Sequence, residues 1–420
     1  MLKRLYFLLF SIVFTNVVFG SHILLPMDET QSNHLKAYGF TYAVLNQGIE
    51  AEWLLNYRGG SFAVPYDAAF VDSLILKGIS YEILSEADHA SITTLISSPE
   101  QNMDVMKLQT APKVAVYSPK SKQPWDDAVT LVLTYAEIPY EVIFDDEILG
   151  DELVKYDWLH LHHEDFTGQY GKFYSSAHQK DWYKQMVKEF EESATKHGYE
   201  KVSQLKLAVV HKIRDFTNSG GFLFAMCSAT DTYDIALAAE GVDICASVYD
   251  GDPMDPNAQS KLDYSKTFAF TDFRLETNAY KYEYSNIDMQ YYERPKEESK
   301  DYFSLFNFSA KWDPVPTMLT QCHTSTVPGF FGQTTAFRKE LIKPEVIILG
   351  ENEGYNEARY IHGTVGKGFF SFYAGHDPED YKHYVDEEPT DLALHPNSAG
   401  YRLILNNILF PSAKKKKRKT

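Results

Sequence analysis

The segment from Gly220 to Ala239 constrains the fold of this chain more than any other part of the sequence. Phe222 to Met226 is an unbroken apolar run, and a helical pattern starts at Asp231. A short run without polar side chains is typical of a strand in a parallel sheet that is covered on both faces. A glycine pair ends the amphipathic helix before it. Helix, buried strand and helix in this order predict an α/β protein.

Strand and helix patterns alternate from residue 112 onward, which implies right-handed βαβ units. We therefore predict one α/β domain over residues 112–410, built on a doubly wound, mainly parallel sheet. Residues from about 250 to 335 are rich in Asp, Asn, Pro and Tyr and predict an insertion. Residues 21–107 predict a small N-terminal α/β unit, and the polar segment 97–109 predicts a linker.

The two ends of the chain carry signals of their own. Residues 1–20 begin with Lys3 and Arg4, continue as an apolar run and end in small residues, which predicts a secretory signal peptide. No later run reaches the ~18 apolar residues of a membrane helix, so we expect no transmembrane anchor in the mature chain and a periplasmic location. Residues 411–420 predict a basic, disordered tail.

The formal net charge of −18 argues against nucleic-acid binding.

Cys227 stands where the buried strand gives way to the next helix. Such a turn projects its side chain above the sheet, and the small neighbours Ala225 and Ala229 avoid collision. The free N–H groups of the following helix favour a thiolate and suit an oxyanion. We predict Cys227 as a nucleophile, with Ser228 and Asp231 as substrate-binding neighbours. The alternative is a buried structural cysteine.

A second motif, His376-Asp377-Pro378-Glu379, follows the predicted strand that ends at Tyr373. A side chain at the carboxyl end of a strand faces the crevice where open α/β sheets bind ligands. Glu379 is close enough in sequence to fix the tautomer of His376. Cys227, His376 and Glu379 therefore suit a nucleophile, a general base and an orienting carboxylate.

The two motifs together carry a resemblance to a known family. The run from Gly220 to Thr232, with Gly-Gly, an apolar strand and Cys-Ser-Ala-Thr-Asp-Thr, resembles the elbow of the ThuA-like (trehalose utilisation) branch of the class I glutamine amidotransferase-like superfamily. Gly-Lys-Gly, an aromatic strand and Gly-His-Asp-Pro-Glu resemble its C-terminal motif. The resemblance covers residues 112–410 and implies a flavodoxin-like fold in which Cys227 and His376 are catalytic. The elbow residue in the ThuA-like branch is often His, and true amidotransferases usually have Gly beside the nucleophile and lack Asp377.

The whole chain also resembles exported bacterial proteins that carry the label "asparagine synthetase B". Its residues do not support that activity. Genuine members need a catalytic Cys at the processed N-terminus, where Ser21 would stand here. They also need a Ser-Gly-Gly-x-Asp-Ser pyrophosphate loop, and Ser219-Gly220-Gly221 continues instead into the apolar strand.

The densest ionisable cluster lies at the end of another predicted strand and contains His160, His162, His163 and Glu164. On a strand, His160, His162 and Glu164 share one face. We predict that these four side chains bind substrate. The alternative is a Zn²⁺ site, because alternating His and carboxylate suits that ion; we assign no metal ligand and expect no cofactor.

The leading hypothesis is an exported amidotransferase-like hydrolase that attacks an amide or another carbonyl substrate through Cys227. The alternatives are a non-catalytic carbohydrate- or peptide-binding protein on the same fold, and a thiol stress or redox protein. Three cysteines, Cys227, Cys245 and Cys322, are too few for a disulfide framework, and an odd number leaves at least one thiol unpaired within the chain. The expected partner is a small molecule, a saccharide or a peptide.

Overall fold

The computed structural model describes residues 21–121, 123–289, 293–295 and 297–414. The predicted signal peptide and residues 415–420 of the predicted tail lie outside these ranges. The described residues form a mixed α/β protein with two sheets. Within them, no helix combines the length and the apolar character that crossing a membrane requires.

The first sheet is antiparallel and occupies the N-terminal part of the chain, in the order β4-β1-β3-β2-β5. Its strands are β1 (His22–Leu25), β2 (Ala51–Leu55), β3 (Ser61–Pro65), β4 (Glu82–Leu84) and β5 (Asp104–Leu108). Its helices are α1 (His34–Asn46), α2 (Ala68–Lys77) and α3 (Glu86–Ser97). Side-chain caps start each helix, as at α2, where Asp67 accepts the N–H of Ala69.

Strand β5 lies inside the segment that the sequence predicts as a linker, so that prediction is wrong there. Met106 and Leu108 are buried, whereas Lys107 between them is exposed. An edge strand of five residues shows only this short alternation, which polar neighbours conceal. Residues 411–414 of the predicted tail also differ from expectation, because Ala413 forms a bridge with Leu108 and Lys414 donates its N–H to the carbonyl of Lys107.

The second sheet has ten strands and covers the rest of the chain. Its strands are β6 (Val114–Tyr117), β7 (Glu141–Ile143), β8 (Trp158–Leu161), β9 (Phe222–Met226), β10 (Tyr302–Leu305), β11 (Thr326–Pro328), β12 (Phe337–Arg338), β13 (Ile347–Asn352), β14 (Glu357–Val365) and β15 (Gly368–Tyr373). The helices are α4 (Ala128–Tyr135), α5 (Asp145–Leu149), α6 (Tyr174–Ala177), α7 (Asp181–Lys196), α8 (Val202–Ser219), α9 (Ala229–Ala238), α10 (Ser247–Asp250), α11 (Ala258–Lys261), α12 (Pro314–Leu319) and α13 (Ala399–Leu409).

This sheet is parallel on one side and antiparallel on the other. Strands β7-β6-β8-β9-β15 pair in parallel, and β15 then continues through β14, β13, β10 and β11 with antiparallel pairing. The sequence predicts a mainly parallel sheet, and this prediction holds only for the side formed by β7, β6, β8, β9 and β15. The difference has a local cause: Gly366, with a φ of 59°, allows the two-residue loop of a hairpin between Val365 and Gly368.

The predicted insertion contributes strands to the same sheet. Strand β10 pairs with β13, so that part of the 250–335 segment extends the antiparallel side. A buried ion pair between Asp301 and Arg359, 2.6 Å apart, ties this segment to β14. The loop at 332–335 then returns to the carboxyl end of the parallel strands, because Gly375 donates its N–H to the carbonyl of Thr334.

Candidate functional site

The strand-to-helix turn at Cys227 has a strained backbone. Cys227 has a φ of 52°, in the left-handed region that side chains other than Gly rarely adopt. The Cys227 N–H donates to the carbonyl of Gly375 at 3.1 Å, and the Thr230 hydroxyl donates to the carbonyl of Cys227 at 2.7 Å. These hydrogen bonds fix the turn between β9 and α9 and hold it against the end of β15.

The Cys227 thiol itself is enclosed. Its residue is 4% exposed, and the sulfur accepts the N–H of Gln333 at 3.2 Å. Burial raises the pKa of the Cys227 thiol to about 11, although the N–H groups of Gln333, Ser228 and Thr334 act in the opposite direction. The prediction that Cys227 is a thiolate is therefore wrong for this structure. The helix start and the loop around Gln333 offset only part of the free energy that ionisation loses by burial.

Two of the predicted substrate-binding residues lie beneath the turn. Ser228 is fully buried, and its hydroxyl has no hydrogen-bond partner among the described residues. Asp231 is 1% exposed and accepts the hydroxyl of Thr334 at 3.0 Å. Burial holds the pKa of Asp231 well above its ordinary value. Both side chains face the protein interior.

A cluster of four histidines lies at the same edge of the sheet, and we call it the histidine cluster: His162, His163, His376 and His383. His162 and His163 stack with ring centroids 3.7 Å apart, and so do His376 and His383 at 3.6 Å. His376 also lies 4.5 Å from His162 and 4.4 Å from His163. The structure thus joins the ends of β8 and β15 through their side chains.

The ring nitrogens of the histidine cluster differ in their hydrogen-bond partners. Nε2 of His162 and both nitrogens of His376 have no hydrogen-bond partner among the described residues. Nδ1 of His162 lies 3.1 Å from the Asp127 carboxylate, which is its ionic partner. His163 Nε2 is 2.8 Å from the carbonyl of Asp126, which can only accept, so Nε2 is the protonated nitrogen.

Burial disfavours the charged form of three of the four rings. It lowers the pKa of His162, and it holds the pKa of His163 and His376 well below the ordinary value, with neighbouring imidazoles adding to the effect. Burial opposes ionisation of Asp127 as well, but His160 and His162 hold its pKa well below its usual range. The site therefore combines the Asp127 carboxylate with three imidazoles, those of His162, His163 and His376, whose neutral form burial favours.

His160 lies deeper than the cluster. Its Nδ1 is 3.2 Å from the carbonyl of Phe224, and its Nε2 is 3.2 Å from the Asp127 carboxylate. Asp127 also starts α4, where it accepts the N–H of Thr130 at 2.8 Å. Glu164 is buried, and burial raises the pKa of its carboxyl group to about 8. Its carboxylate is not part of any group of three or more His, Cys, Asp or Glu side chains whose ligating atoms lie within 4.8 Å of one another.

Hydrogen bonds do not connect the three predicted catalytic residues, Cys227, His376 and Glu379. The Glu379 carboxylate lies 3.0 Å from His395 Nδ1, and the ring nitrogens of His376 make no hydrogen bond to Glu379 or to Cys227. The reason is local: the Glu379 N–H donates to the Asp377 carboxylate at 2.9 Å, in a turn that directs the Glu379 side chain elsewhere. The catalytic roles of these residues stay predictions.

Sequence reasoning missed several residues of the site. His383 belongs to the histidine cluster, Asp126 and Asp127 contact it, and Gln333 contacts the thiol. A signal existed for Asp127, which stands at the N-cap position before a helical pattern. None existed for Gln333, because the fold alone brings its loop to Cys227.

Five groups of side chains among the described residues each bring one ligating atom per residue within 4.8 Å of the others, and three of these groups contain His162 or His376: His162, His163 and His376; Asp126, His376 and His383; and Asp127, His160 and His162. The predicted grouping of His160, His162 and Glu164 is not among them. Two cavities, of about 800 and about 290 Å³, lie elsewhere and are lined by none of the residues of these three groups. All three cysteines are free thiols, with Cys245 buried.

Comparisons with known proteins give no family for this chain. No family model matches it, and no curated protein matches it significantly. Among solved structures it is similar to two cytoplasmic proteins of Salmonella typhimurium, at 10% and 12% identity and TM-scores of 0.35 and 0.36, each covering 72% of this chain and 100% of the other. A GH42 β-galactosidase, Gan42B, is similar at 10% identity and a TM-score of 0.26, over 64% of this chain and 28% of the other. Likeness at this level carries no argument about activity.

Proposed function

We propose that this chain is an exported hydrolase related to the ThuA-like branch of the class I glutamine amidotransferase-like superfamily, acting on an amide or another carbonyl group through Cys227. The observation that carries the proposal is the left-handed backbone of Cys227, at φ 52°, between β9 and α9. Strain of this kind persists where the surroundings fix it, and it is typical of nucleophile elbows. A doubly wound, flavodoxin-like arrangement of the parallel strands belongs to the same proposal.

The reaction would begin with a neutral thiol, because the pKa of Cys227 is raised to about 11. His376 would have to turn from the histidine cluster to accept the thiol proton. The thiolate would then attack the carbonyl carbon, and backbone N–H groups would hold the oxyanion. His376 would return the proton to the departing amine, and water would hydrolyse the thioester.

The remaining polar groups at this edge suit ligand binding. We assign the binding of a small molecule, saccharide or peptide to His160, His162, His163, Glu164, Ser228 and Asp231. Export through residues 1–20 to the periplasm completes the proposal. Asparagine synthesis is not part of it, since the sequence lacks the motifs for ATP.

Turnover of a panel of amides and esters tests the proposal. Cys227→Ala should lower turnover by at least about 1,000-fold, because the covalent step is lost. Cys322→Ala is the matched control and should change turnover by less than about twofold, since Cys322 lies in the wall of the cavity of about 800 Å³. Full turnover by the folded Cys227→Ala protein would contradict the proposal.

A second candidate function is non-catalytic binding of a carbohydrate or peptide, and the burial of Cys227 favours it. A residue that is 4% exposed is difficult for a substrate carbonyl to reach. Under this proposal no substrate is turned over, and a glycan or peptide array finds a ligand that Cys227→Ala binds as tightly as the wild-type protein does.

A further inference from the structure

Three nitrogen ligands converge at the histidine cluster. One ligating atom from each of His162, His163 and His376 lies within 4.8 Å of the other two. Zn–N bonds of about 2.0–2.1 Å in a tetrahedral site separate ligand nitrogens by about 3.3 Å. A bound ion requires the rings to turn toward one point, and their residues are near enough for this, since His162 and His163 follow β8 and His376 follows β15 at the same edge of the sheet.

Two of these rings are buried and carry ring nitrogens without partners. His162 is 1% exposed and His376 is 2% exposed. Nε2 of His162 and both ring nitrogens of His376 have no hydrogen-bond partner among the described residues, whereas Nδ1 of His162 lies 3.1 Å from the Asp127 carboxylate. Buried polar groups are nearly always satisfied in folded proteins. Two adjacent exceptions that face each other across 4.5 Å indicate a ligand that accepts their lone pairs.

The polar groups behind these histidines are of the kind that surrounds metal-binding histidines. His163 Nε2 donates to the carbonyl of Asp126 at 2.8 Å, which leaves Nδ1 with a lone pair. The carboxylate of Asp127 stands 3.1 Å from His162 Nδ1. Histidines that bind metals usually have such a carbonyl or carboxylate beside their second nitrogen, because it sets the tautomer and the ring orientation.

We propose that His162, His163 and His376 bind one Zn²⁺ ion. Imidazole nitrogens favour zinc-type transition metals over Mg²⁺ or Ca²⁺, which prefer oxygen ligands. Three protein ligands leave a fourth position for water or a substrate atom. His163, Asp126 and His383 are partly exposed, whereas His162 and His376 are buried.

This inference goes beyond the proposed thiol chemistry and does not rest on it, since Cys227 belongs to none of the close groups of ligands. The two proposals assign different roles to His376. A histidine that binds Zn²⁺ cannot accept the thiol proton, so a measurement of metal binding also decides which role His376 has.

The test is metal binding by the full-length mature protein. The protein is stripped with a chelator, and Zn²⁺ affinity is measured by competition with a chromophoric chelator, together with the metal content after dialysis. We expect one Zn²⁺ per chain in the wild type. His163→Gln and His376→Gln should each lower the affinity at least about 100-fold, whereas His178→Gln, an exposed histidine on the solvent surface, should leave it unchanged.

Cobalt gives a second readout that does not depend on activity. The Co²⁺-loaded wild type and Cys227→Ala should show the same visible spectrum, without a band from thiolate ligation. Circular dichroism checks that each variant is folded, and His163→Gln serves as the decisive variant if His376→Gln does not fold. Absence of stoichiometric binding, unchanged affinity in folded His163→Gln, or a thiolate band would each overturn the proposal.

Discussion

Cys227 and His376 follow neighbouring parallel strands, yet their side chains lie in opposite surroundings. The Cys227 N–H donates to the carbonyl next to His376, so the two backbones touch. The sulfur, however, is enclosed and accepts a hydrogen bond from Gln333, whereas the imidazole of His376 has no partner for either nitrogen among the described residues. One edge of the sheet therefore holds a thiol with a hydrogen-bond partner beside a histidine whose ring nitrogens have none among the described residues. Proximity in the fold does not make two reactive groups one site.

The largest predicted effect concerns the reactivity of the thiol. With a pKa of about 11 against about 8.5 for a free cysteine, Cys227 has roughly 300-fold less thiolate at pH 7.5. Iodoacetamide should modify Cys227 about 300-fold more slowly in the folded protein than in the unfolded chain. The rate should rise about tenfold per pH unit until about pH 11. A plateau below pH 9, measured by peptide mass spectrometry, would contradict the enclosed thiol.

A smaller effect is expected at the carboxylate behind the histidine cluster. Asp127→Asn keeps an oxygen that can cap α4 but removes the charge beside His162. Zn²⁺ affinity should fall about 10–100-fold, as is typical when a partner behind a ligand is lost. Asp67→Asn is the matched control, because Asp67 caps α2 in the N-terminal part of the chain. Equal affinities of the two variants would remove Asp127 from the site.

The loop that covers the thiol depends on Asp288. Its carboxylate accepts the N–H groups of Thr335 at 3.0 Å and Ala336 at 3.1 Å, and it pairs with Arg294 at 2.9 Å. Asp288→Ala should destabilise the protein by about 2–4 kcal/mol. It should also raise the rate of Cys227 alkylation about tenfold, because the loop loosens.

Asp234→Ala is the matched control for that prediction. Asp234 is also buried and accepts backbone N–H groups, at Phe268 and Ala269, but it holds a different segment. The control should lose a similar free energy of unfolding in urea titrations without faster alkylation of Cys227. Equal acceleration in both variants would show that general loss of stability, and not the covering loop, controls access.

The smallest effect is expected at Ser228. Its buried hydroxyl has no partner among the described residues, so Ser228→Ala should raise the free energy of unfolding by about 0.5–1 kcal/mol. A role in substrate binding would appear as a higher KM in addition to this change in stability. Destabilisation by more than about 1 kcal/mol would mean that the hydroxyl makes a hydrogen bond that the structure lacks.

Part of the fold could be predicted from local sequence. The apolar run Phe222–Met226 and the small residues around Cys227 were sufficient to predict β9 and its turn, because both depend on neighbours in sequence. The antiparallel side was missed because β14 carries Glu357, Arg359 and His362, which read as exposed. They are buried through pairing, and for Glu357 and Arg359 also through ion pairs, which sequence reasoning does not show.

The site was harder to predict than the fold. Sequence reasoning placed His376 with Cys227 and Glu379, because order along the chain says which strand ends meet but not where side chains point. The structure turns His376 toward His162 instead. The state of the thiol depends on Gln333, more than 100 residues away in sequence, since burial and not the helix start sets its pKa.

The rate of Cys227 alkylation with and without saturating Zn²⁺ tests the separation of the two regions most directly. If the thiol and the histidine cluster are separate, the rate at pH 9 should be the same within about twofold in both conditions, while the wild-type protein binds one ion. Protection of Cys227 by Zn²⁺ of more than about tenfold would contradict this account, because it would place the sulfur among the ligands.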